Sequence, residues 1–312
     1  MSSGSVKIYV GVTDLDWFEY LSARSVDEVN FWQPGGRSQF RALQPGELFL
    51  FKLHSPNNFI VGGGLFGHAS IVPISLAWEA FGDKNGAASL DDMRGRVARY
   101  RREPVDFRTD YSIGCRILEQ PFFWPRDLWL PTGDRWAPSI VVGKGFDTGE
   151  ADGRFLWDAV RDRLTAAPVA ASTPLAKVAQ YGDPRLMRPR LGQGTFRLAV
   201  TDSYDRRCAI TGERTLPVLD AAHIRAYGAG GRHEVSNGLL LRTDIHKLFD
   251  RGYVTVDADH RFVVSQRLRE DFRNGRHYYD LAGQAVRLPA RAGHRPDAQA
   301  LEWHRDERFL RA

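Results

Sequence analysis

The chain is poor in cysteine and methionine, with two and three among 312 residues. Two thiols, Cys115 and Cys208, exclude a disulfide-stapled scaffold and any zinc site built from four cysteines. They fit a reducing cytoplasm, the expected location. No apolar run approaches the roughly 18–20 residues needed to span a bilayer, so no membrane partner is expected. The opening MSSGSVKIYVGV lacks the charged-then-apolar pattern of a secretory leader. Glycine (30) and proline (16) are too few for a collagen-like or low-complexity chain. What is present, 43% hydrophobic and 26% charged residues, is the balance of a folded chain, and the length suits two domains.

The net charge is +5, and it is unevenly placed. From residue 181 onward there are 23 Lys/Arg against 17 Asp/Glu, whereas the residues before it hold 20 against 21. The basic excess therefore belongs to the C-terminal part, which suits a partner with a phosphate backbone. Most of the basic residues are arginine, whose planar fork matches phosphate oxygens and guanine edges.

Residues 7–12 (KIYVGV) alternate like a strand, and Asp14–Leu21 carries Leu15, Phe18 and Leu21 at helical spacing. Residues 31–37 (FWQPGGR) read as an aromatic loop broken by Pro34 and Gly35-Gly36. Further strands are expected at Leu48–Leu53, in FIVGGGLFGHASIV, at Tyr111–Leu118 and at Ser139–Val142. Helices are expected at Leu76–Phe81, Leu90–Tyr100 and Phe155–Leu164. The small, proline-punctuated AAPVAASTPLAKVA marks a linker. The expected division is 1–165 as one domain, 166–190 as linker and 191–312 as a second domain. The class is α+β, an N-terminal β-barrel with helices followed by a smaller mixed domain.

The informative stretch is residues 206–257, RRCAITGERTLPVLDAAHIRAYGAGGRHEVSNGLLLRTDIHKLFDRGYVTVD. Leu216–Ile224 reads as a strand carrying His223 near its end, and Gly228–Gly231 as a glycine-rich loop. Asn237-Gly238 opens a strand at Leu239–Leu241, Thr243 and Asp244 supply an N-cap, and Ile245–Asp250 is a short helix. His223, Asn237 and His246 are the polar residues of this strand–loop–strand–helix, at spacings of 14 and then 9 positions. Phosphodiester hydrolysis needs an activated water, an ion to offset charge, and groups that hold both. A neutral imidazole at a strand end serves as a base near neutral pH. A second imidazole on the facing helix is a metal donor, and an asparagine side chain can lock the loop that orients the base.

In the LxAAHI…NGLLLRxDIHxLFD pattern, about residues 191–290 resemble the HNH endonucleases, whose fold is the ββα-metal motif. The resemblance implies His223 as general base, Asn237 as the structural loop residue and His246 as a metal ligand. It implies a divalent ion, with Mg²⁺ expected and Mn²⁺, Co²⁺ or Ni²⁺ as alternatives. Many relatives place Asp or His directly before the base histidine, where this chain has Ala222. Asp220, two residues earlier on that strand face, and Asp250, one turn after His246, are the alternative ligands. Relatives with two CxxC pairs carry a structural zinc; here Cys208 stands alone, so none is expected and Cys208 is assigned to the core. Arg206, Arg207, Arg225, Arg232, Arg242, Lys247 and Arg251 are candidates for phosphate contact. His233 is assigned to the surface.

The N-terminal order of strand, aromatic loop, PGELFLFK and IVGGG is similar to PUA-superfamily domains such as EVE and SRA, which read modified bases. That resemblance implies a flipped base held by aromatic rings and read by polar groups. Asp14, Asp16, Trp17, Phe31, Trp32 and Gln33 are the expected pocket residues; Trp78, Trp124, Trp129 and Trp136 are assigned to packing. Together the two resemblances point to a modification-dependent restriction endonuclease of the phage-defence kind, acting on double-stranded DNA with a modified base, cytosine being expected. Cutting both strands implies a homodimer. Two other readings stay open: a nuclease indifferent to modification with a general nucleic-acid-binding N-terminal domain, and a catalytically inactive DNA-binding protein.

Overall fold

A computed structural model describes residues 5–101, 106, 109–166, 186 and 190–311. The expected linker, 166–190, lies almost wholly outside the described residues. The chain divides into two compact units, Met1–Arg190 and Leu191–Ala312.

The first unit is built on one mixed sheet in the order β2-β5-β4-β3-β1-β7. Its strands are β1 (Lys7–Thr13), β2 (Glu28–Gln33), β3 (Leu48–Leu53), β4 (Phe59–Pro73), β5 (Ser112–Phe123), β6 (Leu130–Pro131, beside β4) and β7 (Gly143–Asp147). Only the β1–β3 pairing is parallel; the others are antiparallel. Register shifts at Phe51/Lys52, Gly63/Leu65 and Phe66/His68 bend the long strands. The sequence LFLFKL explains the central place of β3: all six residues are buried. Alternate side chains go to opposite faces. Leu48 and Leu50 join Ile8 and Val10 beneath α4 (Ala151–Ala166), through Leu156, Trp157 and Val160. Phe49, Phe51 and Leu53 join Phe31, Phe66 and the helix α1 (Leu15–Ser22), through Trp17, Phe18 and Leu21. Helices α2 (Ile74–Phe81) and α3 (Leu90–Ala98) lie between β4 and β5 in sequence.

Two local expectations are corrected. Phe31, Trp32 and Gln33 are not loop residues: they end β2, pairing with Arg116, Cys115 and Gly114. The turn signal of Pro34-Gly35-Gly36 begins only after that pairing. Ser139–Val142 is not a strand; β7 starts at Gly143, and exposed Val141 and Val142 precede it. The run Ile140–Val142 is short, and β-branched residues alone do not locate a strand start.

The second unit opens with α5 (Gln193–Ser203), followed by the hairpin strands β8 (Leu219–His223) and β9 (Gly238–Arg242), then α6 (Thr243–Asp250). A small pair, β10 (Val254–Val256) with β11 (Phe262–Val264), and helices α7 (Arg267–Phe272), α8 (Arg276–Tyr279) and α9 (Ala298–Glu307) complete it. Residues 216–218 form a single 3-10 turn, so the strand carrying His223 is shorter than expected. Pro217 removes a ladder donor there. The core gathers Phe196 and Val200 of α5, Leu239–Leu241 of β9, Ile245 and Phe249 of α6, and Leu301 of α9, with Cys208 buried among them as a free thiol.

His304 of α9 is buried in this core. It stacks on Phe249 with centroids 3.7 Å apart and meets the Thr255 hydroxyl at 2.8 Å and the Phe249 carbonyl at 3.0 Å. Burial pushes its pKa from 6.5 down to about 4. Between those values the unfolded chain binds the proton more readily, so stability falls as the pH drops from 6.5 towards 4. His304→Gln, which keeps a donor for the Phe249 carbonyl, is expected to flatten that fall in urea midpoints measured at pH 5 and 7. Leu240→Ala, at a fully buried position, is expected to destabilise the C-terminal unit by about 2–5 kcal/mol, read as an earlier urea transition.

Candidate functional site

Strands β8 and β9 pair antiparallel, with His223 opposite Gly238 and Asp220 opposite Leu241. The chain passes from β9 into α6 without a loop, because Thr243 begins the helix immediately after Arg242 ends the strand. Thr243 and Asp244 are therefore first-turn residues and not caps. Thr243 Oγ1 donates to the Val218 carbonyl at 3.1 Å, tying the helix start to the end of the turn before β8.

The His223 ring lies flat on Phe196 of α5, with centroids 4.0 Å apart and planes 12° from parallel. Burial, and then the neighbouring His233 and His246, depress its pKa to about 4. The imidazole is thus neutral at pH 7, with a lone pair available to take a proton. Its Nε2 is enclosed and has no hydrogen-bond partner. Gly238 permits this packing: a Cβ there would sit 2.5 Å from Val200 Cγ2 and 3.0 Å from Phe196. His233 is not a plain surface residue. It is half-buried, its ring 5.0 Å from His223 and 4.9 Å from Tyr227. Its place in a glycine-rich loop carried no periodic signal that could have shown this.

Asn237 is 6% exposed and uses its whole carboxamide. Oδ1 accepts from the Arg225 amide at 2.9 Å; Nδ2 donates to the Arg225 carbonyl at 3.0 Å and the Arg232 carbonyl at 2.9 Å. Its backbone carbonyl accepts from the Ile224 amide at 2.9 Å. One side chain thus closes both ends of the 225–232 excursion, directly after His223. A Cβ at Gly231 would fall 1.9 Å from the Arg225 carbonyl oxygen, so the loop's close approach requires glycine there.

On α6, His246 lies between two carboxylates. Nδ1 is 3.4 Å from Asp220 Oδ2, and Nε2 is 3.3 Å from Asp250 Oδ2. The His246 imidazole holds the Asp220 carboxyl below the ordinary carboxylate range, against the opposing effect of burial. One imidazole and two carboxylates are a donor set suited to Mg²⁺, Mn²⁺, Co²⁺ or Ni²⁺. Among the described residues no three such side chains converge as a cation cage, because the carboxylates here face the imidazole nitrogens themselves.

The candidate phosphate-contacting residues divide. Arg225, Arg232, Lys247 and Arg251 are exposed. Arg225 Nε donates to the Ala229 carbonyl at 2.7 Å, and Arg232 lies 3.6 Å from Glu234. Arg242 is bound bidentately by Asp244, at 2.7 and 2.8 Å, and holds that carboxyl down to about 2. Arg206 pairs with Asp202 at 3.3 Å, and Arg207 is half-buried.

A second site lies in the N-terminal unit. A cavity of about 530 Å³ is bordered by Asp14, Trp17, Phe31, Trp32 and Gln33, together with His54, Tyr100, Arg37, Arg101 and Arg116. Five of the six expected pocket residues meet here. Asp16 does not: it pairs with Arg99 at 3.2 Å and Arg96 at 3.7 Å. Trp17, 2% exposed, packs edge-on against Phe31 and Phe51 and belongs as much to the core as to the cavity. The Trp32 indole is held by the Asn85 carbonyl at 3.0 Å. The Tyr100 hydroxyl donates to Asp14, and His54 Nε2 lies 3.6 Å from the same carboxylate. Burial and then Asp14 push the Tyr100 hydroxyl above its ordinary pKa, keeping it a donor. His54, Tyr100 and Arg116 are far apart in sequence, and only the fold brings them to Asp14 and Gln33.

Residues 208–257 match the family model described as HNH endonuclease. Among solved structures, a "Modification dependent TagI restriction endonuclease" aligns over 95% of this chain and 81% of its own, at 15% identity and a TM-score of 0.28. An ASCH protein from Zymomonas mobilis aligns over 43% of this chain and 85% of its own, at 9% identity and a TM-score of 0.28. No curated protein sequence matches the chain.

Replacing Asn237 by Ala strands the Arg225 amide and two carbonyls. The expected cost is about 1–3 kcal/mol, with faster hydrogen exchange at the Arg225 amide while the β8–β9 amides stay protected. Equal protection of Arg225 in the variant would refute the locking role. The residues that match the HNH endonuclease family model, 208–257, fold as an antiparallel strand pair that runs directly into a helix.

Proposed function

We propose that the chain is a metal-dependent, modification-dependent DNA endonuclease. The nuclease reading rests above all on one observation: His223, neutral and stacked on Phe196, ends a strand whose following loop is locked by Asn237. His223 accepts the proton of the attacking water. Phe196 fixes the plane of the ring, and Asn237 fixes the backbone that follows it, so the base is oriented before substrate arrives. His246, with Asp220 and Asp250, would hold a divalent ion whose positive charge offsets that gathering on the phosphoryl group and leaving oxygen. The exposed Arg225, Arg232, Lys247 and Arg251 supply salt-sensitive phosphate contacts. Two nuclease domains, hence a homodimer, serve the two strands.

The reading role of the N-terminal unit is supported by its cavity, which is large enough for a nucleobase and lined by aromatic rings, one carboxylate and three arginines. Such a lining suits a flipped, modified base; cytosine is the base expected from the resemblance, and its exocyclic amine is a donor that Asp14 can accept from.

The test is digestion of matched duplexes carrying cytosine or its 5-modified forms, with N6-methyladenine alongside, in Mg²⁺, Mn²⁺, Co²⁺ or Ni²⁺. Cutting confined to a modified duplex is expected. Equal cutting of all would defeat the reading role; no cutting with any ion would leave a binding protein. His223→Ala is expected to lower the cutting rate by about 10²-fold or more with DNA affinity nearly intact.

A further inference from the structure

Arg116 is 5% exposed, yet no carboxylate among the described residues pairs with it. It lies on β5 directly across from Phe31 and borders the cavity. Its Nη2 donates to Gln33 Oε1 at 2.5 Å, and its guanidinium lies over the rings of Phe40 at 4.6 Å and Tyr9 at 5.4 Å. Its Nε is buried with no partner. A buried guanidinium hydrogen-bonded only to a neutral amide and the neutral Tyr9 side chain, and backed by rings, has lost its water without gaining a counter-charge. Asp14, the one carboxylate among the described lining residues, is engaged by Tyr100 and His54.

The depth of the arginines separates two tasks. Arg37 is exposed, and Arg101 is half-buried and committed to the carbonyls of Pro34, at 2.7 Å, and Ser112, at 3.3 Å. A phosphate, which stays on the backbone of a flipped nucleotide, meets a rim residue. Arg116 is buried, where the base itself would go.

We infer that Arg116, positioned by Gln33, selects cytosines whose 5-substituent bears an oxygen acceptor, anionic substituents most strongly, over those whose 5-substituent is only a methyl group. This rests on the base-reading role proposed above and narrows its substrate to oxidised 5-substituted cytosines. A methyl group offers Arg116 no acceptor and leaves its desolvation uncompensated; a hydroxymethyl oxygen offers one acceptor. A carboxylate offers acceptors and the missing charge.

The experiment is equilibrium binding of the full chain carrying His223→Ala, without divalent ion. The probes are duplexes with one cytosine, 5-methylcytosine, 5-hydroxymethylcytosine or 5-carboxylcytosine at the same site. The expected order is carboxyl, then hydroxymethyl, then methyl, with at least about a tenfold gap between carboxyl and methyl. In Arg116→Met that gap collapses; in Arg116→Lys, which keeps the charge, part of it returns. The order in the Arg116-containing protein is decisive by itself, so a variant that fails to fold does not spoil the test. Methyl bound as tightly as or more tightly than carboxyl overturns the inference and leaves base reading standing. Equal binding of all four duplexes overturns base reading and the inference with it.

Discussion

The nuclease unit depends on one buried carboxamide. Asn237 satisfies the Arg225 amide and the carbonyls of Arg225 and Arg232 at once, and its own carbonyl receives Ile224. Without it, the Arg225 amide and the carbonyls of Arg225 and Arg232 would lose their part-buried partner. With it, the loop is pinned at both ends, and His223 stays against Phe196. Gly238 follows because only a residue without a side chain lets α5 approach so closely. The strand then runs straight into α6 and carries His246 to Asp220.

The two sites use opposite electrostatic arrangements. In the C-terminal unit, the carboxylates of Asp220 and Asp250 flank the two ring nitrogens of His246. In the N-terminal cavity the buried charge is a cation, and the single carboxylate is already held by Tyr100 and His54. Arg116, at 5% exposure, carries its charge where water screens it weakly, whereas Asp250 beside His246 is open to solvent. Neither is visible in the net charge of +5.

The contacts around His223 and His246 were partly legible because the residues are close in sequence and the elements are short. The spacing of His223, Asn237 and His246 fits a hairpin followed by a helix, and i,i+4 geometry placed Asp250 beside His246. Asp220 was reachable by strand alternation. His233 and Phe196 were not, because a loop residue and a residue from a preceding helix meet His223 only when the core closes. Arg242, read from the sequence as a candidate phosphate contact, is bound by Asp244, two residues on, through Nε and Nη2.

In the N-terminal unit, the sequence by itself determined the buried central strand, since LFLFKL has no polar face to turn to water, and the aromatic character of the pocket wall. It also determined the hairpin-and-helix order of the nuclease segment, because apolar periodicity and turn residues act locally. The tertiary structure decided which polar groups share a cavity. Arg116 meets Gln33 only through the β2–β5 pairing, and Tyr100 meets Asp14 across 86 residues. Burial and the absence of a partner are properties of the packed state, so whether an arginine is a solvated surface charge or an uncompensated one in a pocket is settled only when the sheet assembles.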